Sequence, residues 1–259
     1  MLLAGHIVIV TGVGPGLGRS LALACVREGA SVALAARSSE FLDSVAREIA
    51  AFGGTALAVR TDVTDADAQK HLVETTVARF GALDGLINSA FVQPPIKPIA
   101  ETSSETWLDS FTINCHAAIG VTKAALPYLT ASSKSSVVFV NTMSLLTNRP
   151  NFGAYTAAKA AVAAAAKVLA AEIGPLGVRV NSIAPGYIWG EPVESYLQGQ
   201  ADARGVAYAV VLDELLQLIP LRRVNTPDEI ANPAVFLLSD LARGVTGVML
   251  DVNGGQAMR

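Results

Sequence analysis

In the run Tyr155-Thr-Ala-Ala-Lys159 a phenol and an ammonium stand four residues apart, and on a helix that spacing puts both on one face. The chemistry open to such a pair is proton transfer. A free phenol titrates at about pH 10, too high for an efficient base at neutral pH. A fixed positive charge one turn away favours the phenolate and pulls that value down. Tyr155 then takes a proton from an alcohol or returns one to a carbonyl. Alone, this spacing more often marks two neighbours on a partly buried helix, so the rest of the chain decides.

A second constellation lies at the other end. Thr11-Gly-Val-Gly-Pro-Gly-Leu-Gly18 follows the apolar run His6 to Val10 and opens a helix, the setting of a nucleotide-phosphate loop. Glycines at Gly12, Gly14, Gly16 and Gly18 let backbone amides, with that of Leu17, approach a pyrophosphate at the positive end of the helix. Arg19-Ser20 follows Gly18 where a Walker A loop needs Lys and then Ser or Thr. The second apolar run ends in Ala36-Arg37, without the carboxylate that bonds a ribose 2′-hydroxyl in NAD-specific folds. Arg37 with Ser38 suits a 2′-phosphate through charge-assisted bonds. The expected cofactor is NADP(H), with NAD(H) left open because Arg37 also suits stacking on adenine or facing solvent.

The elements that must carry these groups alternate along the chain. Short β-branched runs near 6–10, 31–36, 56–60, 85–88, 136–141, 178–184 and 248–252 are separated by alanine- and leucine-rich segments. That rhythm predicts βαβ crossovers and a seven-stranded parallel sheet with helices on both faces, a doubly wound Rossmann-type α/β sandwich. No linker or repeat interrupts it, so residues 1–259 are expected to form a single domain. One helix is predicted over Glu105 to Leu129. The over-long connection 190–225 carries Val206, Val210, Val211, Leu215, Leu218 and Ile219 at helical spacing and is expected to be a helical substrate lid.

Composition narrows the function. A net charge of −3 with 16% charged residues offers no surface for nucleic acid. No stretch approaches the roughly 18 uninterrupted apolar residues of a membrane span. Cys25 and Cys115 have no metal or disulfide-framework spacing, and His6, His71 and His116 have no metal or triad spacing. No metal site is expected. The N-terminus lacks a basic region and an uninterrupted apolar core, which reads as a reduced, cytoplasmic protein acting on a small molecule.

Taken in order, these residues resemble the short-chain dehydrogenase/reductase family over essentially the whole chain. Thr11-Gly-x-x-x-Gly16-x-Gly18 looks like its cofactor loop, Asp62-Val63 like its adenine-contact pair, and Asn88-Ser-Ala90 like its Asn-Ala-Gly. Asn114, Tyr155, Lys159, Pro185-Gly186 and Leu250-Asp-Val-Asn-Gly-Gly255 match later landmarks. The resemblance implies that Lys159 also holds the nicotinamide ribose, that Asn114 holds a water linking Lys159 to solvent, and that Ile188 gives backbone bonds to the carboxamide. It implies too that the alanine-rich helix packs against its copy in dimers or tetramers. Departures are as informative. The family's serine about a dozen residues before the tyrosine has two counterparts here, Thr142, which the commoner spacing of thirteen favours, and Ser144, eleven before. Phe91 replaces a small residue at the active-site mouth, and Tyr187-Ile-Trp189 replaces the expected threonine after Pro185-Gly186.

The expected activity is interconversion of a secondary alcohol and a ketone by hydride transfer, on an apolar or cyclic substrate. Phe91, Pro94, Leu145, Phe152, Tyr187 and Trp189 are the pocket candidates. The alternatives are a 3-oxoacyl thioester reductase with the same sites, a non-redox lyase or epimerase, and a nucleotide sensor without turnover.

Overall fold

Parallel pairing organises the chain, whose computed structural model describes residues 1–258. Strands β1 (Ile7–Thr11), β2 (Ser31–Ala36), β3 (Thr55–Arg60), β4 (Gly85–Asn88), β5 (Ser136–Val140), β6 (Arg179–Pro185) and β7 (Met249–Val252) form one seven-stranded sheet. Its order is β3-β2-β1-β4-β5-β6-β7, and every pairing is parallel. Ten helices fill the connections: α1 (Leu17–Arg27), α2 (Ser39–Ala51), α3 (Ala66–Phe80), α4 (Ser104–Phe111), α5 (Ala117–Leu129), α6 (Ser144–Thr147), α7 (Gly153–Ile173), α8 (Glu191–Arg204), α9 (Tyr208–Gln217) and α10 (Pro227–Leu238).

The pleat sends successive side chains to opposite faces. Val8 and Val10 pack with α1, α2 and α10, whereas Ile9, between them, packs with α3, α5 and α7. Burial on both sides explains why these strands read as unbroken apolar runs. Helix starts follow local chemistry: Ser38, Asp65 and Ser103 accept from first-turn amides, and Thr226 with Glu229 closes a capping box on α10.

The helix predicted over Glu105 to Leu129 is present, with a π-helical turn at Thr112–His116 joining α4 to α5. Asn114 in that turn is bonded to both backbone groups of Val92 and to the Ser110 hydroxyl, and seating it takes the wider turn. The 190–225 connection does fold as helices, and it has its own core of Leu197, Ala201, Val211, Leu215, Ile219 and Val224. Of the predicted stripe, however, Val210 and Leu218 are 45% and 65% exposed. The four-residue steps from Val211 through Leu215 to Ile219 keep one face aligned, and positions 210 and 218 fall beside it.

Candidate active site

The strand order reverses between β1 and β4, the place where open α/β sheets bind ligands beyond their carboxyl ends. Thr11 and Asn88 are register partners there. The Thr11 hydroxyl accepts from the amides of Ser89 (3.1 Å) and Ala90 (3.4 Å), tying the two loops together. Gly12 has φ +72°, and a Cβ on it would lie 2.5 Å from the Ala90 backbone. A Cβ on Gly18 would lie 2.1 Å from the Gly12 carbonyl oxygen, so this glycine lets α1 sit close to the turn. Gly14 and Gly16, by contrast, face open space.

Helix α1 starts without a side-chain cap, which leaves its first amides for an anion. Asn88 donates to Thr122 Oγ1 at 3.0 Å, but its own Oδ1 is buried with no partner, an acceptor that a bound ligand can satisfy. An uncapped helix start, open glycines and an orphaned acceptor fit a dinucleotide.

At the far end of this crevice Arg37 is exposed beyond β2. Ser38 has a structural duty the sequence did not disclose: its hydroxyl accepts from Phe41 N at 3.3 Å to cap α2, which leaves its proton and one lone pair for a ligand. Arg60, which carries no motif, donates from Nε to the Arg37 carbonyl at 3.2 Å. Asp62 accepts from the Thr64 amide (2.9 Å) and hydroxyl (2.7 Å), which hold its carboxyl below the usual range with smaller help from Arg37 and Arg60. Val63 is positioned through its carbonyl, which accepts from Gln69 Nε2 at 2.7 Å.

The catalytic candidates converge where β5 meets α7. The Thr142 hydroxyl neighbours the Tyr155 phenol and lowers its titration; it lies 3.1 Å from Ser144 Oγ and accepts from the Ser144 amide at 3.1 Å, so Ser144 stands one hydroxyl further back. Lys159 is 4% exposed, donates to the Val140 carbonyl at 2.8 Å, and stands 5.9 Å from the centre of the Tyr155 ring. Burial pushes the lysine down to about 8 and the phenol up to about 12, against the lowering by Thr142. In the protein by itself, without the oxidised nicotinamide that the expectation included beside Lys159, desolvation leaves the phenol raised.

Asn114 has a structural duty as well. Its amide accepts from Val92 N (3.0 Å) and donates to Val92 O (3.0 Å) and Ser110 Oγ (3.2 Å), so both N–H groups are spent clamping the loop that follows β4. Across the site Pro185 O accepts from Met143 N at 2.9 Å, next to Thr142. A Cβ on Gly186 would lie 2.8 Å from that of Asn253, so packing alone demands glycine there. Ile188 bridges to Asn225, and the neighbouring Trp189 amide donates to the Asn225 carbonyl at 2.8 Å. Phe91 is 62% exposed at the rim. Cys115 is a buried free thiol whose titration is raised by burial, and no metal-ligating cluster occurs among the described residues.

One residue at this site escaped the sequence reading. Arg149 donates to the phenol oxygens of Tyr187 and Tyr196, both at 2.9 Å. Its guanidinium also lies 4.3 Å from the Phe152 ring centre, 5.1 Å from Tyr196 and 5.7 Å from Tyr187. Partners 38 and 47 residues away leave no local signal.

Comparison with known proteins agrees with this geometry. A family model described as enoyl-(acyl carrier protein) reductase matches residues 12–257. L-rhamnose 1-dehydrogenase (NAD(P)(+)) of Azotobacter vinelandii is 34% identical over 260 residues, covering 98% of each chain. A 2,5-dichloro-2,5-cyclohexadiene-1,4-diol dehydrogenase of Sphingobium indicum is 36% identical over 255 residues, covering 98% of this chain and 96% of the other. Among solved structures, a short-chain type dehydrogenase/reductase from Mycobacterium ulcerans superposes with a TM-score of 0.90 at 32% identity, covering 99% of this chain and 91% of that one.

Proposed function

The chain belongs to the short-chain dehydrogenase/reductase family, and on that premise we propose how its residues divide the work of an NAD(P)-dependent oxidoreductase acting on CH–OH groups. The observation that carries the reading is the convergence of Tyr155, the neighbouring Thr142 hydroxyl and the buried Lys159, whose ammonium lies 5.9 Å from the Tyr155 ring centre. Bound nicotinamide supplies or accepts the hydride. In the reducing direction Tyr155, protonated in this environment, gives its proton to the carbonyl oxygen while the Thr142 hydroxyl donates a hydrogen bond to the developing negative charge. In the oxidising direction the same phenol must first lose its proton, and the nearby positive charge of Lys159 together with the oxidised ring favours that step. Lys159 has two N–H donors left after its bond to Val140 O, and these suit the cofactor ribose. Ser144 orients Thr142, and Asn114 fixes the π turn and the loop at Val92.

Gly12, Gly14, Gly16, Leu17 and Gly18 would hold the pyrophosphate; Asp62, Val63 and Asn88 the adenosine; Pro185, Gly186 and Ile188 the carboxamide side. The exposed Arg37, with Arg60 beside it and no carboxylate at Ala36, supports a preference for NADP(H). The α8–α9 pair with its separate core supports a lid over residues 190–225. Exposed Leu108 and Phe111 on α4 and Val168 on α7, 67%, 47% and 55% exposed, support a homo-oligomer, dimer or tetramer. The relatives' cyclic substrates support a cyclic secondary alcohol or ketone.

The test is Tyr155→Phe, assayed by nicotinamide absorbance on cyclic alcohols, ketones and a 3-oxoacyl thioester with both cofactors. Turnover is expected to fall by about a thousandfold while cofactor affinity changes by less than about threefold. An active Tyr155→Phe protein overturns the assignment, and a thioester turned over best overturns the substrate class.

A further inference from the structure

The guanidinium of Arg149 sits in a setting that local packing does not complete. It bridges three segments: the turn before α7 that it occupies, the loop after β6 through Tyr187, and α8 through Tyr196. Phe152 beneath it is the residue from which α7 starts, one turn before Tyr155. The cation therefore ties the start of the catalytic helix to the loop after β6 and to α8, which we place at the substrate end of the site. This placement rests on the assignment of Tyr155 as the proton donor.

No carboxylate lies within ion-pair distance of Arg149 among the described residues, a lack it shares with Arg37, Arg47, Arg60, Arg79, Arg179 and Arg222, but of these Arg149 alone faces three aromatic rings. Ring faces and two phenol oxygens partly offset its desolvation. They supply no negative charge, and Arg keeps its own at any working pH. Of five N–H donors two are spent on Tyr187 and Tyr196, which leaves three, and the fork geometry of a guanidinium matches a planar carboxylate. The aromatic setting fixes the cation in place and thereby lowers the entropy cost of binding an anion to it.

We infer that Arg149 is a specificity-determining residue that binds a carboxylate carried by the substrate, so that the preferred alcohol or ketone is a hydroxy or oxo acid with a cyclic or otherwise bulky apolar body. The apolar part rests against Phe152 and Tyr187, and the acid group takes the place that a protein carboxylate leaves empty. A neutral alcohol still reaches Tyr155 but forgoes the charge-assisted bonds.

Binding, not turnover, tests this directly. Protein saturated with NADP⁺ is titrated calorimetrically with cyclohexanecarboxylate and with cyclohexanecarboxamide, a neutral probe of the same shape. The wild type is expected to bind the carboxylate about tenfold or more tighter than the amide. R149Q should reduce that preference to within about twofold, and R149K, which keeps the charge and loses the fork, should fall between them. The comparison with R149Q also removes any attraction due to the oxidised nicotinamide, which is common to both proteins. Equal affinities in the wild type, or no carboxylate binding up to about 10 mM, overturn the inference. So does a preference that survives in R149Q or, should that variant not fold, undiminished in R149K. Tyr155→Phe should keep the carboxylate preference while losing turnover, so failure of the mechanism and failure of this inference give different results.

Discussion

Among the described residues neither Lys159 nor Arg149 has a carboxylate partner, and the site treats the two cations in opposite ways. Lys159 is a point charge on the long helix α7, almost wholly buried, held by one carbonyl and depressed to about 8 by desolvation. Arg149 is a planar charge on a turn, held by two phenols and faced by three rings. A buried ammonium can give up its proton, whereas a guanidinium cannot. The first environment suits a charge that must respond to events at Tyr155 during turnover. The second suits a permanent charge that chooses what enters.

The sharpest way to break that contrast is Lys159→Met. Turnover should fall by about a hundredfold or more, yet folding stability at pH 7 should rise by about 2 kcal/mol. A depression from 10.5 to about 8 corresponds to about 3 kcal/mol of burial cost, less about 1 kcal/mol for the Val140 carbonyl left without its donor. The sign follows from proton counting. Between pH 8 and 10.5 the unfolded chain binds more protons than the folded one, so wild-type stability rises with pH across that window and the advantage of the variant shrinks. Urea denaturation at pH 7 and pH 10 measures both quantities. If Lys159→Met is less stable than the wild type at pH 7, the burial argument is wrong.

A smaller effect separates the two hydroxyls beside Tyr155. Thr142→Ala should lower kcat by about a hundredfold, as loss of a donor to a developing oxyanion does. Ser144→Ala, which reaches the phenol only through Thr142, should cost about tenfold or less. Equal losses would mean that both hydroxyls touch the substrate oxygen.

The smallest effect expected concerns a third cation, the exposed Arg37. Arg37→Ala should reduce the preference for NADPH over NADH by about tenfold, read by fluorescence titration, with little change in stability. If the wild type binds NADPH no better than NADH, Arg37 behaves as a solvated surface residue.

The architecture was legible in the sequence because it rests on local physics. Apolar β-branched runs alternating with longer helical segments define a doubly wound sheet, and the glycine spacing of 12–18 defines the turn beyond β1. Tyr155 and Lys159 were legible because four residues is one helical turn. Resemblance to the family's commoner spacing put Thr142 ahead of Ser144, although its place beside Tyr155 is a tertiary fact. What the sequence could not disclose depends on contacts between segments far apart in the chain. The π turn at Thr112–His116 follows from Asn114 reaching Val92, 22 residues away. The raised phenol and lowered lysine follow from burial, which no spacing records. Arg149 became notable only when folding brought Tyr187 and Tyr196 to it and, among the described residues, no carboxylate, because charge balance in a site is settled by neighbours in space and not by neighbours in sequence.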